Sequence, residues 1–122
     1  MPSIVVIIVT HNSQDVLPRC LDALSQQTIQ ADIVLVDSGS KDVSYLDIYR
    51  KKPGLRVILE KNIGFSRANN TGYQSVSQTA EFILFLNPDA FLTESTLEKS
   101  LVFLKENKKV GCVGGRLLGC DK

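Results

Sequence analysis

The chain has 122 residues, of which 43% are hydrophobic and 22% are charged, a composition that excludes a disordered or fibrous chain and is typical of one globular domain. Lys and Arg number 14 against 13 Asp and Glu, so the formal net charge of +1 excludes a general electrostatic attraction to nucleic acid or to an anionic membrane. Any phosphate must therefore be bound by local groups.

The chain predicts a regular alternation of strands and helices. The unbroken apolar run Ile4–Val9 is typical of a strand buried on both faces of a parallel sheet. An apolar stripe that begins at Val16 predicts a helix with Ser13 or Asp15 as its N-cap. The elements predicted after this unit are a strand over 33–36, a short helix over 43–51, a strand over 55–59, a helix over 66–78, a strand over 82–86, a helix over 95–105 and a strand near 110–113.

This alternation predicts an α/β fold. Strands and short helices in this order form a mainly parallel sheet with right-handed crossovers and helices on both faces. The spacing Ser95-x-x-Glu98 predicts a capping box at the start of the last helix.

Polar residues follow each of the first four predicted strands. The clusters are Thr10-His11-Asn12, Asp37-Ser38-Gly39-Ser40, Asn62-x-Gly64 and Asn87-Pro88-Asp89. The carboxyl ends of parallel strands meet at one edge of a sheet, where loops and helix N-termini present unpaired N–H groups to a ligand. Helix capping explains many residues of this kind, but it does not explain Asp89, which follows a proline. The sequence therefore predicts a ligand site at this edge.

The glycine motifs that usually bind phosphate are missing. No G-x-G-x-x-G follows the first strand, and the chain contains no G-x-x-x-x-G-K-[ST]. A phosphate at this edge would need another counter-charge. A divalent cation held by Asp89 is the economical candidate.

Four motifs together resemble the inverting glycosyltransferase family 2. Their order and spacing are similar to those of the family's first half, and the Asn-Pro-Asp form is most similar to its rhamnosyltransferase-like branch. The resemblance implies a GT-A fold, a Rossmann-like three-layer sandwich, in which residues 1–122 form the N-terminal, donor-binding part. The motifs are Thr10-His11-Asn12-Ser13, Val36-Asp37-Ser38-Gly39-Ser40-x-Asp42, Asn62-x-Gly64-Phe65-Ser66-x-Ala68-Asn69-Asn70-x-Gly72 and Phe85-Leu86-Asn87-Pro88-Asp89-Ala90.

The resemblance implies that a nucleoside diphosphate-sugar donor binds at the strand ends. His11 stands where the family usually has Tyr, which puts a ring beside the base or ribose, although His11 alone also suits a structural histidine. Asp37 would accept hydrogen bonds from a base N–H or ribose hydroxyls. Ser38 replaces the family's usual Asp or Asn and leaves the choice of base open. The residues implied in donor binding are Thr10, His11, Asn12, Asp37, Ser38, Gly64, Arg67, Asn69, Asn70 and Asn87.

Asn87-Pro88-Asp89 occupies the place of the family's D-x-D motif. Asp89 matches the carboxylate that coordinates Mg²⁺ or Mn²⁺ across the donor diphosphate, while Asn87 replaces the first carboxylate. Magnesium commonly uses one or two protein carboxylates together with substrate phosphates and waters. We therefore expect Asp89 to suffice when nucleotide is present, and metal binding without nucleotide to be weak.

The acceptor half of the reaction is not represented in these motifs. By the resemblance, the carboxylate that deprotonates the acceptor hydroxyl lies after the fifth strand, so no catalytic base is assigned, and Glu94 and Glu98 fit helix-start roles. We therefore expect a fragment, truncated after about the fifth strand, that transfers no sugar alone. We also expect a glycan or lipid-linked acceptor, no nucleic acid partner, and self-association through apolar surface that the missing part would cover.

Two other functions stay open. One is a receiver-like α/β module, which would require an acidic cluster at the end of the first strand, where this chain has Thr10-His11-Asn12. The other is a non-catalytic nucleotide-binding scaffold, which the substitution at Asn87 permits.

The cysteines favour a cytoplasmic location, which includes a peripheral position at the cytoplasmic face of the membrane. Cys20, Cys112 and Cys120 form no C-x-x-C pair, and three cysteines cannot make a complete disulfide framework. The apolar run Ile4–Val9 is too short to cross a membrane.

Overall fold

The computed structural model describes residues 3–119, which form one parallel sheet with helices on both faces. The strands are β1 Ile4–Thr10, β2 Asp32–Ser38, β3 Leu55–Glu60 and β4 Phe82–Leu86. The helices are α1 Leu17–Ser25, α2 Phe65–Val76 and α3 Thr96–Glu106, together with a 3₁₀ helix, Ser44–Tyr49.

One of the two central strands of the sheet, β1, is the first in the chain. The order is β3-β2-β1-β4, and each neighbouring pair is parallel. All seven residues of β1 are buried, which explains its unbroken β-branched run, because a central strand of a parallel sheet is covered on both faces. The four carboxyl ends therefore lie at the same edge.

Two apolar clusters cover the two faces of the sheet. Alternate residues of β1 point to opposite faces, so Val6 and Ile8 pack with α1, the 3₁₀ helix and α3, whereas Ile7 packs with α2. Gly72 lets α2 lie close to the sheet, since a Cβ atom there would be 2.6 Å from the Ile7 Cγ2 atom. The predicted three-layer α/β fold is confirmed.

The predicted fifth strand near 110–113 is wrong for the described residues. No strand follows α3 within residues 3–119, and Val110 and Val113 are exposed. Gly111 interrupts this short apolar run, and the Val110 amide donates to the Asn107 carbonyl in a turn after α3. The run therefore lies in irregular chain after α3 instead of adding to the sheet.

The predicted side-chain caps are also wrong. Helix α1 begins without a side-chain cap, because the Ser13 hydroxyl accepts a hydrogen bond from the His11 amide at 3.0 Å. Asp15 makes no cap at this helix either. Ser95 precedes α3, but its side chain caps nothing, and Glu98 instead accepts a hydrogen bond from the Thr28 hydroxyl. Ser13 thus bonds within its own loop and Glu98 across the fold, and neither side chain caps a helix.

Residues 3–119 contain two free cysteines, the buried Cys20 and the exposed Cys112, whereas Cys120 lies outside the described residues. None of the helices in this part of the chain has the length and apolar character needed to span a bilayer.

Candidate functional site

The strand register brings the predicted motifs to one edge of the sheet. Thr10 is paired with Asp37 at the ends of β1 and β2. Leu86 is paired with Ile8, so Asn87-Pro88-Asp89 leaves the sheet at the same edge. Ser38 is paired with Glu60, which puts the loop of Asn62 and Gly64 beside the end of β2. All four clusters therefore surround one end of the sheet.

Asp37 is the centre of a buried hydrogen-bond network. Its side chain is 1% exposed. The Oδ1 atom accepts hydrogen bonds from the hydroxyls of Thr10 at 2.8 Å, Ser40 at 2.6 Å and Tyr45 at 3.2 Å. The Oδ2 atom accepts one from the Ser40 amide at 2.9 Å. A buried carboxylate requires such donors, because burial without them would cost several kcal/mol.

Tyr45 was missed by the sequence-based prediction, and Ser40 was predicted only as a member of the cluster after β2, with no role of its own. The Tyr45 hydroxyl oxygen also accepts a hydrogen bond from the Ser13 amide at 3.3 Å and lies 3.0 Å from the Ser40 hydroxyl. Tyr45 thus joins the loop after β1 to the loop after β2. A tyrosine in a short helix gives no sequence signal of this kind, because the contact depends on the strand register.

Ser38 connects β2 to the loop that follows β3. Its hydroxyl oxygen accepts a hydrogen bond from the Ile63 amide at 3.1 Å and donates to the Lys61 carbonyl at 3.4 Å. Gly39 has a φ of +73°, and a Cβ atom there would lie 2.7 Å from the Asn62 amide nitrogen, so the close approach requires glycine. The Ser38 hydroxyl is used within the fold, and its contact with a nucleotide stays a prediction.

His11 is held in one orientation at the entrance of this edge. Its Nδ1 atom lies 2.6 Å from the Ser38 carbonyl oxygen, which can only accept, so Nδ1 carries a proton. Its Nε2 atom lies 3.4 Å from the Asn12 side-chain nitrogen, and the residue is exposed. The ring is therefore fixed yet accessible, as a contact with a flat base requires.

Asn12 bridges the loops after β1 and β2. It has a φ of 50°, a conformation that asparagine tolerates better than most residues. Its amide donates to the Ser40 hydroxyl oxygen at 2.7 Å, and its Oδ1 atom accepts from the Lys41 amide at 2.8 Å. These bonds give Asn12 a local structural role, and direct contact with a nucleotide stays a prediction.

The N-terminus of α2 faces solvent beside this network. Gly64 has a φ of +87° and precedes the helix, which has no side-chain cap. Arg67 and Asn70 are exposed and Asn69 is half-buried. The only ion pair within residues 3–119 joins Arg50 and Asp47, so Arg67 is not neutralised by a described carboxylate. Helix amides and an uncommitted guanidinium together suit an anion.

Asp89 has the opposite surroundings to Asp37. It is exposed, in a turn in which the Ala90 amide donates to the Asn87 carbonyl at 3.1 Å. The same carbonyl accepts a hydrogen bond from the Cys20 thiol at 3.7 Å. Burial, reinforced by the charge of Asp89, raises the pKa of the Cys20 thiol to about 11. The thiol is therefore neutral and anchors the turn without adding charge.

The residues at this edge fit a metal ion only in part. No group of three or more His, Cys, Asp and Glu side chains that could hold a metal occurs within residues 3–119. The protein thus offers Asp89 as a single exposed carboxylate. This donor set suits Mg²⁺ or Mn²⁺ shared with a phosphate-bearing ligand, and does not suit a metal bound by the protein alone.

A shallow depression of about 240 Å³ lies away from these residues, between α1 and the segment after Asp89. The Arg19 guanidinium stacks 4.1 Å above the Phe91 ring at its wall. None of the predicted donor-binding residues lines it. We therefore place the candidate site at the strand ends because of the polar side chains gathered there, and not in this depression.

Known proteins match this chain along nearly its whole length. The O-antigen chain rhamnosyltransferase RfbN of Salmonella typhimurium is 36% identical over 120 residues, which are 94% of this chain and 37% of that protein. The structure of S. aureus TarS 1-349 in complex with UDP-GlcNAc matches with a TM-score of 0.76 and 27% identity, over 96% of this chain and 37% of that one.

A second solved structure is that of the mannosyltransferase PcManGT from Pyrobaculum calidifontis in complex with GDP-Man and Mn²⁺. It matches with a TM-score of 0.72 and 26% identity, over 84% of this chain and 32% of that one. The chain thus spans about a third of the length of each of these proteins.

The family model described as "Glycosyl transferase family 2" matches residues 5–122, which is nearly the whole chain. The match includes all four strand-end motifs and the sheet that carries them. The chain therefore belongs to glycosyl transferase family 2.

Proposed function

We propose that the chain is the donor-binding part of a metal-assisted, inverting glycosyltransferase. It would bind a nucleoside diphosphate-sugar, and the sugar would pass to a glycan or lipid-linked acceptor in the cytoplasm or at the cytoplasmic face of the membrane. The main supporting observation is that one sheet edge combines a buried, hydrogen-bonded Asp37 with an exposed Asp89 that forms no ion pair within residues 3–119. This contrast suits a ligand with a neutral polar end and an anionic end.

The relatives support this class of ligand. The TarS structure is a complex with UDP-GlcNAc, and the PcManGT structure is a complex with GDP-Man and Mn²⁺. Rhamnose is the sugar we propose, because RfbN is named a rhamnosyltransferase and is 36% identical.

The nucleoside end of the donor is assigned to the loops after β1 and β2. The exposed His11 ring is held by the Ser38 carbonyl, so it can lie against a base without losing side-chain freedom on binding. The Asp37 Oδ2 atom accepts a single hydrogen bond from the fold, so it retains a lone pair for a base N–H or a ribose hydroxyl. Thr10, Asn12 and Ser38 hold these groups in place.

The diphosphate end is assigned to the turn after β4 and the start of α2. Asp89 would hold Mg²⁺ or Mn²⁺ together with the phosphates, and Arg67, Asn69, Asn70 and Asn87 would donate hydrogen bonds beside it. A bound divalent cation stabilises the negative charge that grows on a departing diphosphate. Gly64 leaves the backbone free to approach, since no atom lies within 4 Å of the place of its missing Cβ.

The acceptor-activating carboxylate is assigned to a part of the protein outside this chain. Glu94 and Glu98 lie before and within the first turn of α3, and Glu98 is bonded to the Thr28 hydroxyl, so neither is proposed as the base. Residues 1–122 are thus proposed to bind donor without transferring sugar.

A non-catalytic scaffold is the second candidate, and Asn87 favours it because it removes one metal-binding carboxylate. Calorimetry against UDP, GDP and dTDP, each with and without Mg²⁺, tests both candidates. The proposed enzyme part binds one diphosphate more tightly with Mg²⁺. A scaffold shows no metal-dependent gain, whereas a receiver-like module binds metal without nucleotide.

A further inference from the structure

The loops after β1 and β2 are joined by one side chain that lies outside both of them. The Tyr45 hydroxyl lies 3.2 Å from the Asp37 Oδ1 atom and 3.0 Å from the Ser40 hydroxyl, and it accepts a hydrogen bond from the Ser13 amide at 3.3 Å. Tyr45 is carried by the 3₁₀ helix, whose start is fixed by the Asp42 carboxylate through the Ser44 amide.

The hydrogen-bond directions in this network determine what the hydroxyl contributes. The Asp37 carboxylate can only accept, so the Ser40 and Tyr45 hydroxyls both donate toward Oδ1, and the Ser13 amide can only donate toward Tyr45. Tyr45 is therefore donor to one loop and acceptor from the other. Asp37 has its Oδ1 atom filled by three hydroxyls, which leaves Oδ2 as the atom with spare acceptor capacity.

The geometry points to Tyr45 as a positioning residue for nucleotide binding, which acts through Asp37 and through the loop that carries His11. Without its hydroxyl, the Asp37 carboxylate loses one of three donors on Oδ1, and the Ser13 amide loses its side-chain partner. The inference rests on the proposed function, since it assigns Tyr45 to the nucleoside end of the same site. It predicts an effect on base and ribose recognition and none on the metal-dependent diphosphate end.

The test compares Tyr45→Phe with Tyr49→Phe. Both tyrosines lie on the same 3₁₀ helix, but Tyr49 packs in the apolar cluster under α1 and its hydroxyl is not part of the network. Calorimetry with UDP, GDP and dTDP, with and without Mg²⁺, is combined with thermal unfolding of each variant. We expect Tyr45→Phe to weaken binding of the preferred nucleotide about tenfold, the size of a hydrogen bond to a charged group. The Mg²⁺ enhancement factor should stay as in the unmodified chain, and Tyr49→Phe should bind normally.

A double-variant cycle separates positioning from general structural damage. In the Asp37→Asn background, Tyr45→Phe should change affinity less than about twofold, because the charged acceptor through which it acts is gone. Unchanged affinity of Tyr45→Phe would overturn the inference, and so would a loss of the Mg²⁺ enhancement or an equal effect of Tyr49→Phe. If Asp37→Asn does not fold, these three outcomes still decide. An unmodified chain that binds no nucleoside diphosphate would instead overturn the proposed function.

Discussion

Asp37 and Asp89 carry the same charge at the same edge of the sheet, yet their surroundings differ completely. Asp37 is buried and accepts four hydrogen bonds, whereas Asp89 is exposed and has no ion pair within residues 3–119. A carboxylate already satisfied by hydroxyls gains little from a cation, while an exposed one beside phosphates repels them until a cation intervenes. Substitutions of the two residues should therefore affect nucleotide binding in different ways.

Asp89→Asn should abolish the gain in nucleoside diphosphate affinity that Mg²⁺ provides. Without metal, the variant should bind slightly better, because a repulsive carboxylate has been removed. Asp37→Ala should weaken binding equally with and without metal. Calorimetric titrations of both variants measure the contrast, and an Asp89→Asn protein with the full Mg²⁺ enhancement would remove the metal from the proposed site.

Cys20 should resist alkylation in the folded protein. Its side chain is fully buried, and burial raises the pKa of the thiol to about 11, so at pH 8 the reactive thiolate is scarce. Cys112 is exposed and should react freely. Peptide mapping after iodoacetamide treatment of the native and of the unfolded protein gives the alkylated fraction of each cysteine. Rapid labelling of Cys20 under native conditions would show that the turn around Asn87 opens readily.

At the scale of the elements, helix α2 depends on a glycine for its distance from the sheet. A Cβ atom at position 72 would lie 2.6 Å from the Ile7 Cγ2 atom and 3.1 Å from the Val36 Cγ2 atom, both in the buried core. Glycine is otherwise unfavourable inside a helix by about 1 kcal/mol relative to alanine. Close packing thus outweighs helix propensity at this position.

Gly72→Ala should lower the free energy of unfolding by up to about 2 kcal/mol, the balance of overpacking against helix propensity. Denaturant titration measures the change. Gly111→Ala is the matched control, because no atom lies within 4 Å of its missing Cβ, and it should leave stability unchanged. A more stable Gly72→Ala protein would show that α2 has room to move outward.

Strands and helices of this fold were predictable from the sequence because their apolar patterns are long and regular. The run Ile4–Val9 and the strand Phe82–Leu86 were found almost to the residue. The side-chain caps were not, since Ser13 bonds locally to His11 and Glu98 bonds to Thr28, which only the folded chain brings near. The edge that carries the clusters followed from the parallel direction of the predicted strands. The Tyr45 contact did not, because it joins three segments.

At the scale of the whole molecule, β4 is paired on one side only within residues 3–119, and apolar side chains near it are exposed. Phe85 is 52% exposed although it lies in a strand of the sheet. Its neighbour in the register is the fully buried Ile7, so the cover provided by α2 stops short of β4. Uncovered apolar surface of this kind drives association.

Purified residues 1–122 should therefore self-associate as their concentration rises. Sedimentation velocity measures this, and Phe85→Ser should shift the distribution toward monomer. A strictly monomeric chain at high concentration would contradict it.

The same purified chain should show no sugar transfer in a donor-consumption assay, since we assign the acceptor-activating base elsewhere. Measurable turnover would place a base among residues 1–122, and Glu94→Gln and Glu98→Gln would then identify it.

The sheet order has a consequence for how this protein is made. Strand β1 is one of the two central strands and is the first of the four to be synthesised, but its neighbour β4 follows only after roughly 70 further residues. At about 5 to 20 residues per second, the ribosome needs on the order of 4 to 14 seconds to deliver it. During that time one edge of the β-branched strand β1 stays unpaired outside the ribosome. Such strands pair readily with copies of themselves. We therefore expect this edge of β1 to be open to association until β4 has been made.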